Sequence, residues 1–530
     1  MPTPSVETSG SDQGAPVAGV QPAEVLLLAS VFVIAACGLV YELAAGALAS
    51  YLLGDSVLQF STVIGCYLAA MGAGSWLSRF VERQLVAQFL RIELLVGLAG
   101  GLMPAALFAA HASLPAASLA PFRVLMYGGV GLVGTLVGLE IPLVMRILKR
   151  QFTHRYGLKD LVAQVLTFDY LGALVVAVAF PLLLVPHLGL IRTGLFFGLL
   201  NAAVAAWALM MFRRELRHFG AHAGACAAVV LALAAAFSQA ERLTTWAEDR
   251  FYGESVLFRE TSAYQRVVVT RSNAGVRLFL NGNLQFHSKD EYRYHEALVH
   301  PAMSAHGAPR RVLVLGGGDG MAAREVLKYP SVEHVTLVDL DPRMTELFSQ
   351  QPLLTALNQG ALTNPKLTVV NADAFGWLEQ HPDERFDVIV VDFPDPSNFA
   401  IGKLYTTSFY ALVDQHLAAS GYAVIQTTSP LIARQSFWTV VSTVEAVGLA
   451  ATPYHAHVPS FGEWGFVIAS RRPWHRPAAL PAGLRFLTLP GLDALLDFPP
   501  DMARVPAEPN RLSNQVLVHT FEEEWGRVHQ

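Results

Sequence analysis

Long apolar runs dominate the first half of the chain, and short alternating segments dominate the second. Stretches near 24–48, 57–79, 87–110, 119–147, 161–185, 190–212 and 219–239 carry few charges. Each is long enough to cross a hydrocarbon layer of about 30 Å. They predict an all-α multi-span membrane bundle of about seven helices over residues 23–240. From residue 250 the pattern changes. Arg266–Arg271 and Val276–Leu280 read as strands joined through Ser272-Asn-Ala-Gly275, and Asn281-Gly282 marks the next turn. A helix is expected over Tyr292–Ser304. Strands at Val312–Leu315, His334–Asp339, Leu367–Val370, Val388–Val391 and Ala423–Gln426 then alternate with helices such as Met321–Lys328. This is the pattern of an α/β, Rossmann-like parallel sheet of βαβ units. It divides the second half into a small β region (250–306), the α/β domain (307–470) and a C-terminal extension (471–530).

Composition agrees with two unlike halves. Hydrophobic residues make up 53% of the 530 positions and charged residues 15%, apolar for a soluble chain. Cys37, Cys66 and Cys226 all lie in the apolar half, so the second half uses neither a disulfide nor a thiolate metal site. With a net charge of -5 and no basic tract, nucleic acid is not an expected partner. Residues 1–22, rich in Ser, Gly, Pro and Thr, read as a disordered tail. The first apolar run is too long for a signal peptide and lacks its basic flank.

Basic residues of the apolar half gather between the second and third stretches (Arg79, Arg83), the fourth and fifth (Arg146, Lys149, Arg150, Arg155, Lys159) and the sixth and seventh (Arg213, Arg214, Arg217). The positive-inside rule puts these loops, and the N-terminus with them, in the cytoplasm. Seven crossings then carry the second half outside; six or eight keep it inside. Glu42, Glu93, Glu140 and Asp169 fall within apolar runs and should face the bundle interior. They fit a cation path or binding site, and equally protonated acids that hydrogen-bond between helices. The run Gly128-Gly-Val-Gly-Leu-Val-Gly134 suits close helix packing.

The chemistry is concentrated in Arg311-Val-Leu-Val-Leu-Gly-Gly-Gly-Asp319-Gly320, where an apolar strand runs into three glycines and an acid before a helix. Such a turn lets backbone approach a nucleoside, with Gly316 and Gly318 at its centre. Asp339 ends the second strand about twenty residues on, a spacing that suits a carboxylate on ribose hydroxyls. Asp373, in Asn371-Ala-Asp373-Ala374, follows the third, where it would meet an adenine amino group. Asp392 and Asp395 follow the fourth, and Gln426 the fifth. Each acid alone also fits a helix cap. Polar groups at successive strand ends, where such sheets bind ligands, point to one site. An acid inside the glycine turn and a later acidic pair suit a cationic substrate beside a nucleoside. His295-Glu-Ala-Leu-Val-His300 has i, i+5 spacing, so its histidines would not share a face, and no metal is expected.

Over residues 250–470 these features resemble the spermidine/spermine synthases, the polyamine aminopropyltransferases. The resemblance rests on Tyr264-Gln265, Leu280-Asn-Gly-Asn-Leu-Gln285, Asp290-Glu291, Tyr294-His295-Glu296, Gly316–Gly320, Asp392-x-x-Asp395-Pro396, Leu404-Tyr405 with Phe409-Tyr410, and Gly462-Glu-Trp-Gly465. The apolar half resembles that of multi-pass bacterial members. The resemblance implies a Rossmann-like (AdoMet-methyltransferase-like) fold. It implies transfer of the aminopropyl group of decarboxylated S-adenosylmethionine, a co-substrate, to putrescine or a similar polyamine, with no prosthetic group and no metal. Asp392 would be the proton acceptor. His295, Asp319, Asp395 and Gln426 would hold the polyamine. Gln265, Gly316, Gly318, Asp339, Asp373 and Ala374 would hold the nucleoside. The family often forms oligomers through the small β region, so a homo-oligomer is also implied. The apolar runs themselves call for a lipid bilayer around the first half, a bacterial-type inner membrane, and the need for a cytosolic nucleoside co-substrate favours a cytoplasmic catalytic domain.

The chain departs from the family pattern. Asp339 stands where Glu is usual, Asn281 where Asp is usual and Met321 where a further glycine is common. Phe393-Pro394 replaces two small residues, and the Gly-Pro that usually follows the catalytic loop is missing. These changes bear on the amine pocket, and so on acceptor length, more than on the reaction. Two other readings use the same residues: an AdoMet-dependent methyltransferase, and a polyamine-binding transporter or sensor without turnover.

Overall fold

Hydropathy and length make helices of the apolar half. In the computed structural model, which describes residues 22–53, 57–114, 119–151, 158–262 and 264–528, they are α1 (Pro22–Leu53), α2 (Val57–Leu77), α3 (Leu85–Ser113), α4 (Leu119–Gln151), α5 (Leu158–Ala179), α6 (Val185–Met211) and α7 (Phe219–Tyr252). Residues 1–21 of the expected tail, and Arg155, lie outside the described residues. Lys159–Met211 form one apolar stretch of 53 residues. A straight helix of that length would run about 80 Å, far beyond a bilayer. It is broken instead by a π-helical turn at Phe180–Leu184 and by Gly189, whose φ of 72° and ψ of 170° are not helical.

Small residues let the helices close up. A Cβ on Gly138 of α4 would sit 2.1 Å from the Met71 carbonyl oxygen of α2, and one on Gly74 of α2 would sit 2.0 Å from that of Thr135. Of the run 128–134, Gly134 shares this contact, whereas Gly128 and Gly131 face open space.

Helix α7 continues past residue 240 into the second half. There β1 (Ser255–Thr261), β2 (Arg266–Ser272), β3 (Gly275–Leu280) and β4 (Asn283–His287) form an antiparallel sheet in that order. The sheet is tied to α7 by Glu248, a fully buried carboxylate that pairs with Arg259 at 3.0 Å and with Arg266. Tyr252 packs on Phe279 with ring centroids 4.6 Å apart.

Helix α8 (Glu291–His306) leads to the larger sheet, built from β5 (Arg311–Gly316), β6 (His334–Asp339), β7 (Leu367–Asn371), β8 (Phe386–Asp392), β9 (Leu417–Gln426), β10 (Ala450–Val458) and β11 (Gly462–Ser470). Its order is β10-β11-β9-β8-β5-β6-β7. Strands β5 to β9 pair in parallel, but β11 and β10 are antiparallel, so the sheet is mixed rather than wholly parallel. The cause is local. Strands β10 and β11 form a hairpin, which can only pair antiparallel. The helices that follow are α9 (Met321–Val326), α10 (Pro342–Gln350), α11 (Pro352–Leu357) and α12 (Ala374–Gln380). Chain order reverses between β5 and β8, the switch point where such sheets open a crevice.

The C-terminal extension folds back on this domain. Glu296 of α8 accepts hydrogen bonds from the Arg485, Phe486 and Leu487 amides at 2.7, 2.8 and 2.9 Å. Glu524 accepts from the Gln435 and Ser436 amides.

The two sheets and the basic loops lie at opposite ends of the bundle. Phe251, at the end of α7, touches His111 near the end of α3, whereas Arg79 and Arg83 precede the start of α3. Arg146 hydrogen-bonds to Ser78 and the Val81 carbonyl at that remote end.

Candidate active site

The turn after β5 owes its path to absent side chains. Gly316 has φ 80°, and a Cβ there would stand 2.3 Å from the Asp392 carbonyl oxygen. A Cβ on Gly318 would come within 2.6 Å of the Asp339 carboxyl. The turn therefore lies directly on the ends of β6 and β8. Asp339 accepts hydrogen bonds from the Gly318 amide at 3.0 Å and the Asp341 amide at 2.9 Å. Burial pushes its pKa up to about 6 in spite of them.

Strand register sets Gly316 beside Asp392. The Asp392 carboxyl faces the turn and accepts a hydrogen bond from the Tyr294 hydroxyl at 2.7 Å. Burial raises its pKa to about 6, with the His295 charge opposing and the Asp319 charge assisting. Asp395 is pushed further, to about 8, by burial working against Gln426. Its Oδ1 meets no partner among the described residues. Asp319 accepts from the Met321 amide at 2.9 Å, and burial raises it too, against His295 and that amide.

His295 completes this side. Burial lowers its pKa, but the Glu291 carboxylate, 2.8 Å from Nδ1, outweighs burial and leaves it above the ordinary histidine value. Arg324 grips the same Glu291 with two nitrogens, at 3.0 and 2.9 Å. Against burial, the bonds from His295 and Arg324 hold Glu291 down at about 2. His300 turns away to Tyr329 and Glu325. Among the described residues no cluster of three or more His, Cys, Asp or Glu is disposed to hold a metal.

Gln426 braces the loop after β8. Its amide nitrogen donates to the Tyr405 hydroxyl at 2.8 Å and to the Phe393 carbonyl, and its oxygen accepts from the Trp464 indole at 3.1 Å. Tyr405 donates in turn to the Pro394 carbonyl at 3.1 Å.

On the β6 side of the turn, Gln265 donates to Asp341 at 3.0 Å, joining the small sheet to the loop after β6. Asp373 caps α12 through the Gly376 amide at 3.1 Å and pairs with Lys403 at 3.0 Å, while Ala374 is buried at the start of that helix.

The fold thus gathers Asp319, Asp392, Asp395 and His295 around one crevice, with Asp339 and Gln265 on its flank. Sequence reasoning passed over Tyr294, Asp341, Lys403, Tyr405 and Trp464 as individual contributors. Tyr294, Tyr405 and Trp464 stand inside the motifs quoted above, and Asp341 carries the local signal of an acid before Pro342 at a helix start. Lys403 has no such signal. The arrangement can hold a cation among carboxylates and accept a proton at a carboxylate whose pKa lies near neutrality.

The family model described as the spermine/spermidine synthase domain matches residues 291–475. Polyamine aminopropyltransferase 2 of Ralstonia nicotianae is 55% identical over 510 residues, which cover 95% of this chain and 98% of that protein. The polyamine aminopropyltransferase of Leptospira interrogans is 47% identical, covering 95% and 99%. Matches of this length take in the apolar half as well as the α/β domain. Among solved structures, spermidine synthase from Thermotoga maritima is 27% identical and covers 46% of this chain and 84% of that one, with a TM-score of 0.43.

Proposed function

The chain belongs to the spermine/spermidine synthase family and is a polyamine aminopropyltransferase, and from that premise we propose that it makes spermidine from putrescine and decarboxylated S-adenosylmethionine. The primary amine of putrescine, with a pKa near that of lysine at about 10, arrives as an ammonium. Asp392 takes its proton. The freed lone pair forms the N–C bond at the carbon next to sulfur, the C–S bond breaks, and its electrons return to sulfur as neutral methylthioadenosine. The sulfonium carries its own leaving group, so the step asks the protein for alignment and a base. Asp319, Asp395 and His295 bind and orient the amine, and Gln426 assists by bracing the loop that carries Asp395. Gln265, Gly316, Gly318, Asp339, Asp373 and Ala374 bind the nucleoside. The observation that carries this reading is the Asp392 carboxyl, held by Tyr294 against the glycine turn at a pKa of about 6.

The apolar helices cross an inner membrane and hold the catalytic domain in the cytoplasm, where the nucleoside is available. A second reading of sidedness rests on one observation. The basic loops lie at the end of the bundle remote from the catalytic domain, an arrangement that the positive-inside rule turns into an exoplasmic domain. A C-terminal alkaline phosphatase fusion separates them: an active fusion supports the exoplasmic reading, an inactive one the cytoplasmic.

The function is tested with purified full-length protein in detergent, supplied with decarboxylated S-adenosylmethionine and putrescine, cadaverine or spermidine. Methylthioadenosine and spermidine, with putrescine as the best acceptor, are expected. A better rate with a longer amine overturns the choice of putrescine, and no methylthioadenosine with any amine overturns the reaction.

A further inference from the structure

The helix bundle contains a polar centre that the transfer reaction does not use. Glu93 of α3 and Glu140 of α4 are fully buried, and so are Tyr41 of α1 and Asn201 of α6. No carboxylate oxygen of either glutamate, neither polar atom of the Asn201 amide and not the Tyr41 hydroxyl meets a hydrogen-bonding partner among the described residues. These groups stand on helices that pack against one another. Glu93, Gly97 and Gly100 share a face of α3. A Cβ on Gly97 would lie 3.2 Å from that of Asn201, and one on Gly100 would lie 2.7 Å from the Tyr41 ring. Glu140 lies within the electrostatic reach of Glu93, and Tyr41 within that of both. Counted along their helices, Glu93, Asn201 and Glu140 sit about 12–17 Å from the basic-loop end, at one depth.

Buried polar atoms are ordinarily paired, and unpaired carboxylates in an apolar bundle mark a binding site or ion path. We propose that Glu93, Glu140, Asn201 and Tyr41 form a cation site inside the helix bundle that takes an ammonium group of a polyamine. Each primary ammonium offers three N–H donors, matched here by carboxylate, amide and phenol oxygens. Two carboxylates beside an amide and a phenol oxygen can both balance the charge of an ammonium group and accept its N–H bonds. Val96, Val133 and Val137 belong to the same buried apolar cluster as Tyr41, an environment that suits the methylene chain between amines. The choice of a polyamine rests on the aminopropyltransferase reading; the site itself does not.

The test is equilibrium binding of radiolabelled spermidine and putrescine to the full-length protein in nanodiscs. Two classes of site per chain are expected. Asp395→Asn should weaken the catalytic class by about tenfold or more and leave the other unchanged. The double variant Glu93→Gln/Glu140→Gln should lose the bundle class and keep its turnover in detergent. Wild-type stoichiometry and affinity in that double variant overturn the proposal. Tyr41→Phe and Asn201→Leu guard against misfolding of the double variant: each should weaken the bundle class by about tenfold, and unchanged binding in both also overturns it. Protection of wild type from unfolding by NaCl or KCl but not by spermidine, abolished in the double variant, assigns an inorganic cation and overturns the ammonium. Absence of methylthioadenosine from wild type would defeat the transfer reaction and leave the bundle class measurable.

Discussion

In the catalytic domain, Glu291, Glu296 and Glu325 are buried with every carboxylate oxygen engaged. Glu291 is held by Arg324 and His295, Glu296 by three backbone amides, and Glu325 by Arg324, His300 and Lys328. Among the described residues, Glu93 and Glu140 of the helix bundle are buried as deeply with no such partners. The crevice acids fall between: among the same residues the Asp392 carboxyl has one hydroxyl, that of Asp319 one amide, and Asp395 Oδ1 no partner. Burial disfavours a charge unless partners replace water. The degree of pairing therefore sorts these acids into those that hold the fold and those that await a ligand or a proton.

Five variants test that sorting, the largest effect first. Asp392→Asn removes the base at nearly constant shape, and kcat should fall by about 10²–10⁴ with the melting temperature held, as read by methylthioadenosine release. Arg324→Met leaves the Glu291 charge buried without its bidentate partner. It should destabilise the protein by about 3–5 kcal/mol in chemical unfolding, whereas Glu93→Gln/Glu140→Gln should not lower stability. Equal losses in the two would break the comparison. Asp395→Asn should raise KM for the amine by about tenfold or more, since bonds to charged groups contribute about 1.5–3 kcal/mol. With a pKa of about 8, Asp395 is largely protonated at neutrality and must ionise to hold an ammonium. Wild-type KM should fall as pH rises toward 8, and the variant should lose that dependence.

The smallest effect concerns Tyr294→Phe. Asp392 must be ionised to take a proton, so kcat/KM should be lost as pH falls through about 6. The Tyr294 hydrogen bond favours the ionised form, and its removal should move that limb upward by about one pH unit or less. A limb that moves downward, or does not move, would remove Tyr294 from the account.

Much of the site was legible because its signals are local. The glycines and acid of the β5 turn, Asp339 at the end of β6 and the Asp392/Asp395 pair after β8 announce themselves by type and spacing within a few residues. The parallel core followed from the alternation of strands and helices. The antiparallel edge did not, because β10 and β11 differ from the parallel strands only in how the chain returns. The π turn and Gly189 within Lys159–Met211 were equally hidden, since hydropathy averages over a break in the backbone.

By itself the sequence determined the division into an apolar helical half and an α/β half, the glycine-acid turn and the chemical types gathered for an amine and a nucleoside, since hydrophobic periodicity and turn chemistry act over short stretches. Only the tertiary structure decided which buried acids have partners. Tyr294 reaches Asp392 across 98 positions and Arg485 reaches Glu296 across 189, and the helix face that carries Glu93 lies against Asn201 and Tyr41, through Gly97 and Gly100, only because α1, α3 and α6 pack together. A carboxylate's role depends on the groups that replace its water, and those groups are chosen by packing between distant segments, which residue spacing along the chain does not encode.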